Sequence, residues 1–415
     1  MNAAPPRAET SSPQPFPQGG EGVREPAAPN SALTSSICGG GREGDAPRIG
    51  IAGAGLAGRL LAWRLLRAGY AVELFDAHAR ADRSSAGPTA AAMLSPTAEL
   101  AAADAGIHAL GVASLSIWPQ WLAELHAQTG HDIYFRREGT LVVAHAADRG
   151  ALEHYTALLR AHLPAGDGGA SMQTLDGEQI SALEPLLAGR FGQGLFLPQE
   201  GQLANDQLYA ALAAALDAGL AACGGAWHEG VAIDAVAPAA LLDAHGRRHG
   251  FDLAVDCRGI GARGGVPGLH GVRGEVLTVF APGVSLRRPV RLIHPRYAIY
   301  VAPRPGGQFV VGATELDSED AGPPTLRSTL ELGSALYSLH PEFGEARVLR
   351  LAAALRPALP DHHPVAGPDA SGVWRINGLF RHGYLIAPAL VRQVEQGIVA
   401  ALGAPGPQTE LRHAA

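Results

Sequence analysis

The run Ile49-Gly50-Ile51-Ala52-Gly53-Ala54-Gly55-Leu56-Ala57-Gly58, closed by Asp76, constrains this fold more than any other stretch. Its spacing predicts a short apolar strand, Ile49 to Ala52, that enters Gly-x-Gly-x-x-Gly. A helix with an apolar face follows (Leu56, Leu60, Leu61, Trp63, Leu65, Leu66) and ends near Gly69. A second strand, Val72 to Asp76, comes next. Gly53 permits the tight turn, Gly55 lets the backbone approach a pyrophosphate, and Gly58 lets the helix pack closely on the strand. Free N–H groups and the positive dipole end of that helix suit a diphosphate. Asp76, 23 residues after Gly53, can accept hydrogen bonds from a ribose diol. Together these features imply dinucleotide binding; the alternative is a glycine-rich turn without a ligand.

At 415 residues and 47% hydrophobic content, the chain has enough for two or three domains with sizeable cores. A net charge of −7 argues against nucleic acid as a partner. All 32 basic residues are Arg and none is Lys. That excludes Schiff-base chemistry and a Walker-type phosphate loop. It also leaves Arg as the strong anchor for a substrate carboxylate, a task its planar fork suits. Three cysteines (Cys38, Cys223, Cys257) far apart in sequence fit a reducing, cytoplasmic setting and argue against a disulfide framework or a zinc site. No apolar stretch of about 18 residues is expected to span a bilayer, since the Ala-rich region Leu208 to Cys223 is broken by Asp217. Residues 1–47, rich in Pro, Gly, Ser and Ala, read as a disordered leader outside the fold, and 406–415 as a tail.

Beyond the first unit, small residues from Ser84 to Pro96 allow close backbone approach. Periodicity predicts helices over His108 to Thr129, Leu152 to His162, Leu203 to Ala222, Thr325 to Leu339 and Ala389 to Leu402. Trp118 and Trp121 on the first of these read as core packing. Strands are expected at Glu138 to Ala144, Phe251 to Asp256, Val276 to Phe280 and Trp374 to Gly378, with a hairpin around Pro305-Gly306-Gly307. Strand and helix alternate at both ends while the middle is richer in hairpins. The fold class is therefore α/β, a doubly wound Rossmann-like domain with an inserted antiparallel-sheet substrate domain. The nucleotide domain is assigned residues 48–100, 200–265 and 351–405, and the substrate domain 101–199 and 266–350.

The fingerprint alone leaves NAD and FAD open. A disulfide reductase would need a second fingerprint and a redox cysteine pair, and the sequence has neither. A second glycine-bearing loop, Asn377 to Pro388, instead leads into the last helix, where N–H groups suit the flavin edge that becomes negative on reduction. Further passages add to this: Ala91-Ala92-Met93-Leu94-Ser95-Pro96, Gly139-Thr140-Leu141-Val142, Gly201-Gln202-Leu203, Val272 to Val276, Tyr300 to Arg304 and Val310 to Thr314. Leu355 to Asp361 and Phe380 to Pro388 complete the series. On these motifs the chain resembles the FAD-dependent amino-acid oxidase family that includes D-amino-acid oxidase and sarcosine oxidase. Within it, the chain resembles the glycine oxidases of thiamine biosynthesis.

The resemblance implies FAD held by Gly53, Ala54, Gly55, Leu56, Ala57, Gly58, Asp76, Ala91, Ala92, Met93, Leu94, Val231 and Gly259, and by Arg381, His382, Gly383, Tyr384, Leu385 and Ile386. It implies that Arg356 grips the substrate carboxylate and that Tyr300 adds a hydroxyl donor, with Arg381 as a third catalytic candidate. From the residues alone, Arg356 is boxed between Leu355 and Pro357 and suits a rigid clamp, or it pairs structurally with Asp361 or the C-terminus. Tyr300 is alternatively a core tyrosine on a sheet face. Arg381 faces the flavin or holds its loop. The implied reaction is oxidation of a small amino acid to its imine, with O2 reduced to H2O2, supplying the thiazole of thiamine. Thiazole-pathway enzymes are expected partners, and a homo-oligomer is expected. The alternative is a D-amino-acid dehydrogenase that passes electrons to a quinone. Sarcosine-oxidase-like relatives use a lysine near the flavin, and this chain has none. Three departures bear on substrate preference: Ala389-Leu390 after the last motif, Ala298 where some relatives carry His, and the turn Asp256-Cys257-Arg258-Gly259. His362-His363 beside Asp361 read as loop residues, not metal ligands.

Overall fold

The structure, a computed structural model, describes residues 46–164, 171–294 and 299–405. Ala298, the expected leader up to residue 45 and the tail lie outside the described residues. The expected first strand, Arg48–Ala52, sits inside a six-stranded sheet. Its order is Val365–Pro368, Trp374–Asn377, Leu253–Asp256, Arg48–Ala52, Ala71–Asp76 and Ala226–Glu229. Every neighbouring pair is parallel except the first. Ile49, Ile51 and Ala52 are fully buried because both faces of the sheet are covered, as a parallel sheet requires. Ile49 and Ile51 lie under helices, and Ala52 lies under a three-stranded antiparallel sheet, Ile233–Ala237, Ala240–Asp243 and Arg248–Gly250. Chain order runs outward on both sides of Arg48–Ala52, so the topological switch point, where α/β sheets bind ligands, lies at this strand's C-terminal end.

Leu56–Arg67 forms the helix of the fingerprint. One apolar core joins it to Asn205–Ala222, Ala105–Thr129 and the last helix, Gly383–Leu402. The second layer is an eight-stranded sheet in the order Arg347–Ala358, His270–Phe280, Gln308–Gly312, Ile299–Arg304, Val290–Ile293, Thr140–Ala144, Gln193–Leu197 and Gln173–Asp176. It is antiparallel except where Val290–Ile293 meets Thr140–Ala144. Leu326–Leu339, capped by the Thr325 side chain on the Ser328 N–H, contributes Leu332, Leu336 and Leu339 to this sheet's core.

The division differs from the sequence expectation at two points. Ala105–Thr129 packs in the nucleotide-domain core, with Trp118 fully buried and edge-on to Trp121, so residue 100 is not a boundary. Arg347–Ala358 pairs along its whole length with His270–Phe280, so residues 351–358 belong to the large sheet. The last helix also starts earlier than expected, at Gly383, and carries Pro388 inside it. Pro388 has no N–H for the Tyr384 carbonyl one turn back. The Trp118 Nε1–H donates to that carbonyl at 3.0 Å, and the Ala389 N–H finds Ser114 Oγ at 3.1 Å. Tertiary partners thus replace what the proline removes.

Among the described residues, Phe380–Leu402 is long and apolar enough, by length and composition alone, to cross a bilayer, with mean hydropathy 1.3. Much of its apolar surface is spent inside the protein, where Leu385, Ile386, Leu390, Val391, Val394 and Ile398 are buried. Cys257 is a buried free thiol, and Cys38 lies outside the described residues.

Candidate active site

A cavity of about 1360 Å³ opens at the switch point and runs between the two sheets. At one end the fingerprint turn behaves as its spacing predicts. Gly53 has φ +96, and a Cβ there would meet the Cys257 carbonyl at 2.5 Å. A Cβ on Gly58 would come within 1.9 Å of the Gly53 carbonyl oxygen. At Gly55, by contrast, no atom lies within 4 Å of a Cβ. That space faces the cavity and is the cradle a pyrophosphate fits. Gly55 is also the N-cap of the first helix and offers no side-chain cap, and His382 caps the last helix equally poorly. Two helix N-termini with unsatisfied N–H groups therefore serve one cavity, as an anionic cofactor requires. The Asp76 carboxylate accepts the Ala54 N–H at 2.6 Å and the His78 N–H at 2.8 Å, and it retains lone pairs for a diol.

Of the residues assigned to the cofactor, Gly53, Ala54, Gly55, Leu56, Ala57, Asp76, Ala91, Ala92, Met93, Val231 and Gly259 line this cavity. So do Arg381, His382, Gly383, Tyr384 and Leu385. Leu94 and Ile386 do not: both are fully buried in the apolar core. Strand alternation turns Leu94 away from Met93, and Ile386 lies on the inner helix face. Gly58 also stays behind the wall, where it sets helix–strand spacing. Asp256 and Arg258 close the unusual turn by themselves. The Arg258 Nε and Nη2 donate to the two Asp256 oxygens at 2.9 and 2.8 Å, and Arg375 Nη1 adds a bond of 2.7 Å.

At the other end stand Tyr300 and Arg356, both on the large sheet and lining the cavity. The Arg356 guanidinium lies across Gly274 on the adjacent strand, where a Cβ would meet Nη2 at 2.3 Å. Its Nη2 donates to the Thr314 carbonyl at 3.0 Å, while its buried Nη1 has no hydrogen-bond partner among the described residues. No ion pair joins it to Asp361, whose carboxylate instead accepts the His363 N–H. Burial depresses the Arg356 pKa, with Tyr300 and Glu315 opposing. Burial also raises the Tyr300 phenol, which keeps it a donor.

Arg381 is held by two carboxylates, through Nε to Glu99 and Nη1 to Glu315, both at 2.9 Å. Glu99 accepts a further bond from Arg291 Nη2 at 2.8 Å. Burial alone would raise the Glu99 pKa, but Arg381 and Arg291 outweigh it and hold the carboxyl well below its usual range. The same two contacts join the segment after Ala91–Leu94, the Phe380–His382 turn and the substrate sheet. His362 stacks on Phe380, and His363 contacts Asp104.

His382 is 4% exposed. Burial pushes its pKa down to about 4, against the pull of Glu99 at 3.4 Å. As pH falls through 6.5 the unfolded chain takes up this proton first, so the stability present above that pH is lost progressively towards pH 4. Between pH 7 and 5 this amounts to about 2 kcal/mol. Replacing His382 by Gln should flatten the fall in Tm over that interval, and an unchanged slope would remove His382 as its source.

Sequence reasoning passed over Glu99 and Arg291, which lie 192 residues apart and carry no motif of their own. It also passed over Arg59, stacked on Tyr209 and Trp227 at 4.5 and 4.7 Å near the Asp76 end.

Comparison with known proteins agrees with this geometry. The family model described as FAD dependent oxidoreductase matches residues 48–395. A Rhizobium etli protein named as a thiamine biosynthesis oxidoreductase, ThiO, is 40% identical over 360 residues, covering 86% of this chain and 98% of that protein. A bifunctional ThiO/ThiG protein of Synechocystis is 28% identical over 315 residues, 73% of this chain and 44% of that protein. The glycine oxidase of Geobacillus kaustophilus is 26% identical over 358 residues, 82% of this chain and 89% of that protein. A crystal structure of glycine oxidase from that organism shares the fold, with a TM-score of 0.73 at 23% identity over 89% of this chain and 100% of that one. With the fingerprint cradle, the uncapped helix ends and a family model spanning both sheets, the chain belongs to the FAD dependent oxidoreductase family, and FAD is its cofactor.

Proposed function

We propose that the chain oxidises glycine or a similarly small amino acid to its imine, reduces O2 to H2O2, and so supplies the thiazole of thiamine. The observation that carries this reading is Arg356: a buried guanidinium beside Tyr300, with one nitrogen bonded to Thr314 and the other unpartnered. A substrate carboxylate completes it, and the Tyr300 phenol can donate to the same group. Holding the carboxylate there confines a small zwitterion to one orientation, which supplies much of the needed proximity. Bound FAD supplies the two-electron acceptor. The amino acid loses two electrons and two protons, O2 gains both as H2O2, and the imine is either consumed in thiazole formation or hydrolysed by water to oxoacid and ammonia. The Synechocystis relative named ThiO/ThiG supports a thiazole-pathway enzyme as partner.

Mixing the FAD-loaded protein with glycine without oxygen should bleach the flavin band, and air should restore it with one H2O2 per glycine consumed. Bleaching reversed by a quinone but not by air would instead establish the dehydrogenase alternative. An unchanged band with glycine, sarcosine and D-alanine alike would sink both.

A further inference from the structure

Around Tyr300 the structure assembles three cations and two anions: Arg291, Arg356 and Arg381 against Glu99 and Glu315. Glu99 binds Arg291 and Arg381 together, and Glu315 takes the second side of Arg381. Only Arg356 among these three arginines has no carboxylate partner among the described residues. We infer that Glu99 determines how many carboxylates the substrate can carry: by occupying Arg291 and Arg381 it leaves one guanidinium for one acid group, and so selects monocarboxylic over dicarboxylic amino acids. This rests on the reading that Arg356 holds the substrate carboxylate.

Without the Glu99 charge, Arg291 loses the carboxylate it is bonded to while still lining the cavity, and its buried Nε is already without a hydrogen-bond partner. Two neighbours do not restore the balance. Glu200, buried and bonded to the Ala98 N–H, is shifted by burial towards its neutral acid, and His382 is uncharged near neutral pH. A single surplus cation thus becomes two, which suits a second carboxylate of the same ligand. If Glu99 served only to hold its loop, its loss would weaken all carboxylates alike.

The test uses two ethers that cannot be oxidised as amines, methoxyacetate with one carboxylate and diglycolate with two. Their dissociation constants are read from perturbation of the flavin band in the FAD-loaded protein. Glu99→Gln should shift the ratio towards diglycolate by about tenfold, the scale of one added charge at partly screened contact distance. Glu99→Asp should keep the original ratio. A Glu99→Gln protein in which both constants change equally, or neither changes, overturns the inference. Should Glu99→Gln not retain FAD, Glu315→Gln at the exposed rim releases one bond of Arg381; a smaller shift in the same direction supports the proposal and an unchanged ratio overturns it. Because no turnover is read, failure here leaves glycine bleaching untouched, and failure of bleaching leaves the ratio untouched.

Discussion

Arg356→Ala should retain FAD and raise the KM for glycine on the order of 100-fold, equivalent to about 3 kcal/mol for one or two charged hydrogen bonds. FAD retention follows from position, since Arg356 lies on the large sheet and not in the fingerprint turn or at either helix N-terminus. The loss follows from preorganisation. Gly274 leaves the guanidinium room to lie flat across the strand, and the Thr314 carbonyl fixes one nitrogen, so little side-chain entropy remains to be lost on binding. Tyr300→Phe should cost less, since a neutral donor contributes roughly 1 kcal/mol. Steady-state peroxide release against glycine concentration, with flavin absorbance as the control for loading, measures both. An Arg356→Ala enzyme with wild-type kcat/KM would assign carboxylate binding elsewhere.

What the sequence revealed depended on how local the determining interaction is. The turn, helix and strand around Gly53–Asp76 were legible because each constraint acts within about 25 residues of chain. Arg356 was legible by its motif, but its freedom from Asp361 was not, because that depends on Gly274 on the neighbouring strand and on Thr314 just past the end of Gln308–Gly312. The start of the last helix was misplaced for a related reason. Pro388 does remove a donor, as the local rule holds, yet Trp118 supplies another from 266 residues away. Glu99 and Arg291 escaped entirely, since an isolated acid and an isolated strand arginine look like surface charges until the fold buries them together. The outer strand Arg347–Ala358 shows a mixed burial pattern and so lacks the strict alternation that marks a strand in sequence.

Gly58→Ala should abolish FAD retention and destabilise the protein with or without cofactor, whereas Gly55→Ala should weaken FAD binding in an otherwise intact fold. The two positions are separated by what a methyl group would meet. At Gly58 it would lie 1.9 Å from the Gly53 carbonyl oxygen. That carbonyl has little room to yield, because the Gly53 N–H is bonded to the Phe75 carbonyl at 2.7 Å and the Cys257 backbone lies where a Cβ on Gly53 would be. The helix must therefore lift from the strand, at a cost of roughly 1–3 kcal/mol for overpacking, and its N–H groups leave the diphosphate position. At Gly55 the methyl would meet no protein atom and intrudes only where the cofactor lies. Flavin absorbance after gel filtration and Tm with and without added FAD separate the cases. Gly55→Ala should keep the apo Tm and lose the cofactor-dependent rise, while Gly58→Ala should lower the apo Tm as well. Equal apo Tm values for the two variants would mean that the fingerprint helix does not depend on this contact with the strand.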